Sequence, residues 1–199
     1  MYDTMIIAVS ENGGGSRMRY FTSDQHFFDT DIMAYSDRPY RTAQEMNEDM
    51  IKRFVRKTVD ASEIYIMGDI FGSHQPNSPY SSCKSVMDRL GIGSRPFHLI
   101  LGNHDNLPPE EYREMGFRSV KKLEFIEIGG LRFMLTHDPC MIQPRNTLAI
   151  CGHIHTLFSE NWQPERNTYT VNVGVEMRNY EPVSEREILE TVMRSEYRR

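Results

Sequence analysis

The sequence has little that would tie it to an oxidising compartment, a membrane or a polyanion. Its three cysteines, Cys83, Cys140 and Cys151, are odd in number and form no C-x-x-C pair, which argues against a disulfide framework and fits reduced thiols in a cytosol. Each is read as a small buried hydrophobe. The longest apolar run near the start, Met5 to Val9, falls far short of the roughly 20 residues that span a bilayer, and short of a secretory core. Neither insertion nor export is expected, and the chain is assigned to the cytoplasm. Positive charge is scarce: 23 Lys and Arg against 28 Asp and Glu leave a net charge of -5. No basic stretch interleaved with aromatics offers a nucleic-acid face. Repeats and low-complexity tracts are missing too, and no feature assigns an oligomeric state.

What is present suits a packed globule. With 39% hydrophobic and 26% charged residues over 199 positions, the chain has enough apolar surface for one core, and residues 1–199 are read as a single domain. Strand-length apolar runs recur at Met5–Val9, Met18–Thr22, Ile64–Met67, Phe97–Leu101, Leu123–Ile128, Leu131–Thr136, Leu148–Cys151 and Tyr169–Val173, about eight strands in all. Helical spacing marks Ala43–Val59 through Met46, Met50, Ile51, Phe54 and Val55, then Ser81–Leu90, Glu110–Met115 and Glu185–Arg194. Loops are expected at Glu11–Ser16, Gly72–Pro79 and Gln163–Asn167. Strands and helices alternate first, whereas the later strands follow one another directly, with Gly129–Gly130 as a hairpin turn. The order predicts an α/β (α+β) sandwich, two packed mixed β-sheets flanked by helices, with polar residues clustered where strands end.

Those ends carry the chemistry. Asp24-Gln25-His26 follows the second predicted strand and Gly68-Asp69 the third; each alone is an expected accident of composition. Gly102-Asn103-His104-Asp105 also follows a strand directly, and shuffling would produce that tetrad only about 0.001 times. Gly152-His153-Ile154-His155, expected roughly 0.02 times, ends another. His137 closes the hairpin strand. Glycine beside a donor lets the backbone turn and approach closely, so side chains from separate strand ends can converge. The pooled donors are carboxylate, amide and imidazole without thiolate, which favours Mn, Fe or Zn in mixed O/N sites over a structural zinc–cysteine knot. Seven ligands exceed one ion's needs. Two ions about 3.5 to 4 Å apart, sharing a carboxylate, would use them all and leave room for water and substrate.

In this order the five blocks resemble the motif series of the calcineurin-like metallophosphoesterase superfamily: D-x-H, G-D, G-N-H-D, a lone H, and G-H-x-H. The resemblance runs from Asp24 to His155. The contexts Thr22–His26, Tyr35–Pro39 and Asn172–Val175 resemble a small bacterial and phage branch of it. It implies that Asp24, His26 and His155 hold one metal and Asn103, His137 and His153 a second, with Asp69 bridging. His104 would stand over the substrate phosphate and Asp105 would hold its ring in a charged orientation. Gly72 stands three residues after Asp69, where the ferric, purple enzymes carry tyrosine, so a tyrosinate-bound ferric ion is not expected. The expected cofactors are two divalent ions, Mn2+ first, then Fe2+, Zn2+ or Ni2+.

The expected reaction is hydrolysis of a phosphoester, possibly of a nucleotide, by a metal-activated hydroxide, with phosphodiesters preferred slightly over phosphomonoesters of small metabolites or nucleotides. The different-class alternative is a non-catalytic scaffold of the same fold. Arg38, with Asn103 and His104, is a candidate substrate contact, and Arg178, Asn179 and Tyr180 have similar standing. His74 and His98, outside the motifs, are read as structural or solvated.

Overall fold

A computed structural model describes residues 18–72, 80–143, 145–195 and 197. The strand expected at Met5–Val9, the loop at Glu11–Ser16, His74 and nearly all of the Gly72–Pro79 loop lie outside the described residues. The order is β1 (Met18–Thr22), α1 (Asp31–Tyr35), α2 (Ala43–Lys57), β2 (Ala61–Ile66), α3 (Tyr80–Leu90), β3 (Phe97–Ile100), α4 (Pro109–Met115) and β4 (Ser119–Lys121). Next come β5 (Leu123–Ile128), β6 (Leu131–Thr136), β7 (Leu148–Cys151), β8 (Glu160–Gln163), β9 (Thr168–Asn172), β10 (Val183–Ser184) and α5 (Glu185–Arg194). Short 3-10 turns occupy Pro139–Met141 and Val175–Arg178.

Two five-stranded sheets result, ordered β10-β1-β2-β3-β4 and β5-β6-β7-β9-β8. Strands β1 to β4 run parallel, as helical crossovers require, and β10 pairs antiparallel with β1. In the second sheet β6, β7 and β9 are parallel and the outer strands antiparallel. Both sheets are mixed, matching the expected architecture. Strand alternation sorts two cores. Tyr20, Ile64, Ile66, Phe97 and Leu99 face a cluster shared with Met46, Met50 and Phe54 of α2. Phe21, Tyr65 and Ile100 face the opposite way and join Phe133, Leu148, Ile150 and Val171 of the second sheet.

Helix α2 starts where Thr42 accepts the Glu45 N–H and ends with Arg56 and Lys57 in its last turn. It stops short of Val59, and Val55, read into its apolar stripe, is exposed. Helix α5 opens with a reciprocal Ser184–Glu187 capping box and buries Ile188 and Val192. Four elements escaped the sequence reading: β4, β8, β10 and the one-turn α1. The three strands are sheet edges, where one side lacks a partner and little apolar pattern is needed. Among the cysteines, Cys83 and Cys151 are buried as expected, but Cys140 is exposed in the turn capped by Asp138. His98 bonds Ser119 through Nδ1 and stacks on Tyr65, a structural role.

Candidate metal centre

Every motif donor follows the C-terminal end of a parallel strand: Asp24 and His26 after β1, Asp69 after β2, Asn103 and His104 after β3, His137 after β6, His153 and His155 after β7. The two sheets meet there, because Ser23 bridges Gly174 beyond β9 and His153 N–H donates to the Asp24 carboxylate at 3.0 Å. The approach is close. A side chain at Gly102 would collide with the Asp69 carboxylate, and one at Gly152 with Ser23 and Asp24. Asp24, His26, Asp69, His153 and His155 all adopt left-handed backbone, with φ between 44° and 73°. Such angles are uncommon for residues with a Cβ and concentrate at functional sites.

Three donor groups arise, each with ligand atoms mutually within 4.8 Å: Asp24, His26 and His155; His26, Asp69 and His104; Asp69, His137 and His153. Asn103 joins the last, its Oδ1 lying 2.8 Å from His153 Nδ1 and 3.2 Å from His137 Nε2. Asp69 stands between the sets. Its Oδ1 accepts the His104 N–H at 2.8 Å, which leaves Oδ2 at 3.1 Å from His137 Nε2 and 3.7 Å from His26 Nε2. The geometry alone also permits His104 as a donor, through the middle group.

The electrostatics are those of a cation site. Burial drives the Asp24 pKa up. Burial pulls the other way on His137, but Asp69 and Asp24 outweigh it and raise that ring to about 9. His155 is raised against its burial by Glu176 and Asp24. The fit to a metal is tested most directly by His26: it is 1% exposed, and neither ring nitrogen has a hydrogen-bond partner. A buried imidazole left so is costly unless something absent from the polypeptide engages it. The residues present fit divalent ions.

Two expected roles change. Asp105 does not hold the His104 ring: its Oδ2 accepts the Asp69 and Gly102 N–H groups at 2.9 and 2.8 Å, and Oδ1 the Ile70 N–H at 3.3 Å. It pins the β2 and β3 loops together, while His104 Nδ1 stays buried without a partner. Burial pushes the Asp105 carboxyl up to about 6 despite those donors. Arg38 does not reach the cavity either. Its side chain is 0% exposed and spent on Glu176 at 2.5 Å and on the carbonyls of Asp24 and Gln25 at 2.6 and 2.8 Å. Arg178 is likewise tied to the Asn172 and Ser159 carbonyls and to Glu160.

Three residues were missed. Glu176 Oε1 lies 2.9 Å from His155 Nδ1 and accepts Arg38 as well; burial alone would raise its carboxyl, but His155 and Arg38 hold it down to about 2. Asp29 Oδ2 lies 3.5 Å from His26 Nδ1. Asn172, fully buried, donates to the His155 and Phe158 carbonyls and fixes that loop. Asp29 sits three residues past His26, and Glu176 one residue beyond the Asn172–Val175 context, so proximity to the motifs was their only signal. The donors open into a cavity of about 390 Å3, also lined by Asp29, Asp31, Ile32 and Tyr35.

Known proteins resemble this chain in sequence and in fold. The chain is 30% identical over 173 residues to the uncharacterized protein MJ1445 of Methanocaldococcus jannaschii, covering 84% of this chain and 87% of that one. In fold it is similar to AQ665 of Aquifex aeolicus, a protein of unknown function, with a TM-score of 0.65, 23% identity and coverage of 87% and 98%. It is also similar to the Pseudomonas putida nuclease MPE, with a TM-score of 0.50, 20% identity and coverage of 71% and 63%. Residues 20–185 match the family model of the calcineurin-like phosphoesterase superfamily domain, and with that span, which takes in every candidate donor from Asp24 to His155, the chain belongs to this superfamily.

Proposed function

We propose that the protein is a metal-dependent phosphoesterase with a dinuclear centre, in which Asp24, His26 and His155 hold one divalent ion, Asn103, His137 and His153 a second, and Asp69 both. The observation that carries this reading is the place of Asp69 Oδ2 between His137 Nε2 at 3.1 Å and His26 Nε2 at 3.7 Å, rings of two donor groups, with the buried His26 ring hydrogen-bonded at neither nitrogen. When bound, such ions neutralise the non-bridging phosphate oxygens and acidify water. Mn2+ is the first candidate, with Fe2+, Zn2+ and Ni2+ as alternatives.

The chain's own residues do the rest. His137 Nδ1 donates to the Met67 carbonyl at 2.6 Å, which fixes the ring with Nε2 toward Asp69. Glu176 fixes His155 through Nδ1 in the same way. His104 lines the cavity and is the candidate to touch the phosphate or hand a proton to the leaving oxygen, a role worth about 10² to 10⁴ in rate. Asp105 acts one step back, by holding the loops that carry Asp69 and His104. Phosphodiesters are the preferred substrates and small phosphomonoesters the alternative.

The test is turnover of bis(p-nitrophenyl) phosphate after chelation and after adding back Mn2+, Fe2+, Zn2+ or Ni2+, followed by a panel of monoesters, cyclic nucleotides and dinucleotides. Loss on chelation and recovery with metal are expected. Turnover indifferent to the chelator overturns metal catalysis, and a loaded protein inert to the whole panel supports the scaffold alternative.

A further inference from the structure

One wall of the cavity is built by Asp31, Ile32 and Tyr35 of α1. This helix has one turn, but it is anchored at both ends. Asp29 Oδ1 accepts the Asp31 and Ile32 N–H groups at 2.9 and 3.3 Å, and Ile32 is buried in the first core. The chain then returns inward through Ser36 N–H on the Ile32 carbonyl and Arg38 N–H on that of Met33, with the Arg38 side chain locked in the interior. Between these anchors Tyr35 projects into water, 81% exposed, while still lining the cavity. Its ring centroid lies 6.0 Å from that of His155, itself one of the metal donors. An aromatic ring on a fixed backbone costs little rotamer freedom to immobilise and offers a flat apolar face with a polar tip.

The charge of the same cavity points in a complementary direction. Asp29 and Asp31 line it, and among the described residues no lysine or arginine does. The ions of the proposed centre would neutralise one phosphate. A second phosphate alongside would meet carboxylates with no cation to pair it.

Resting on the phosphoesterase reading above, we propose that the Tyr35 ring and the acidic rim select small esters carrying one phosphate next to a flat aromatic or heteroaromatic group, stacked on Tyr35. Strands of nucleic acid and polyphosphates are turned away. The chemistry is that of a nucleoside monophosphate ester or an aryl phosphoester, not of a polyanion.

The test uses non-hydrolysable probes on the full chain loaded with Mn2+, with phenylphosphonate and methylphosphonate binding measured by calorimetry. Wild type is expected to bind phenylphosphonate roughly tenfold tighter or more. Tyr35→Ala should collapse that ratio toward one by weakening phenylphosphonate alone, and Tyr35→Phe should keep it. Because Tyr35 is exposed, neither substitution threatens folding, which circular dichroism checks. Equal affinities in wild type, or an unchanged ratio in Tyr35→Ala, overturn the ring platform while leaving the phosphoesterase reading intact. If neither phosphonate binds the metal-loaded protein, the phosphoesterase reading fails and this inference with it. A thymidylate decamer is expected to bind no tighter than thymidine monophosphate. Tighter, strongly salt-dependent binding of the decamer overturns the rejection of polyanions.

Discussion

The two donor clusters use the same side-chain chemistry but are held differently. Each cluster has two buried donors and one half-buried imidazole, His155 in the first and His153 in the second, but around the first the flanking groups are carboxylates: Glu176 on His155 and Asp29 near His26. Beside Asp69, His137 and His153 the added amide donor, Asn103, is exposed. There the group behind His137 is neutral, the Met67 carbonyl, and His153 Nδ1 faces the amide oxygen of Asn103, itself a donor of that cluster. A carboxylate behind an imidazole makes it a more basic ligand than a carbonyl does. The lesson is that a symmetric-looking motif set builds an asymmetric pair of sites, and the two ions are expected to bind with unequal affinity, the first more tightly.

The shared carboxylate offers the hardest break. Asp69→Asn is expected to remove the asymmetry by emptying both sites, with activity down about a thousandfold or more and metal content reduced together by elemental analysis. Next, His104→Ala should lower kcat by about 10² to 10⁴ while two equivalents of metal remain; parallel loss of metal would instead make His104 a ligand, as the middle donor group allows. Glu176→Gln sharpens the comparison, because it should weaken only the tighter site, by about 10- to 100-fold, turning two resolved steps of a metal titration into one. Asn103→Ala removes a direct donor of the second cluster and is expected to lower metal content and activity together, with the tighter step of the titration unmoved.

Much of this was legible in the sequence, for identifiable reasons. Central strands such as β3 and β7 are buried on both faces, so their apolar runs stand out, and the glycine-flanked donors that follow them mark strand ends and candidate ligands at once. Three of the four edge strands gave no such signal: Glu160–Gln163, three polar residues and Trp162, closes one side of the second sheet. Arg38 was misjudged because its neighbours Asp37 and Pro39 read as an exposed loop, whereas its partner Glu176 lies 138 residues away in sequence. Asp105 was misjudged because its motif places it beside His104, while its hydrogen bonds go to backbone 35 and 36 residues upstream and 3 residues before it. Groups that act on other groups leave no spacing to read.

The left-handed backbone at five of the seven donors limits what those positions can become. Aspartate, asparagine, histidine and glycine tolerate such angles far better than β-branched or bulky residues. The main chain therefore restricts the vocabulary at each position to short polar side chains, most of which still offer oxygen or nitrogen to a cation. Exchange among them retunes the preference for one ion over another without refolding a loop. Drift toward valine or isoleucine costs conformational energy before any ligand is missed.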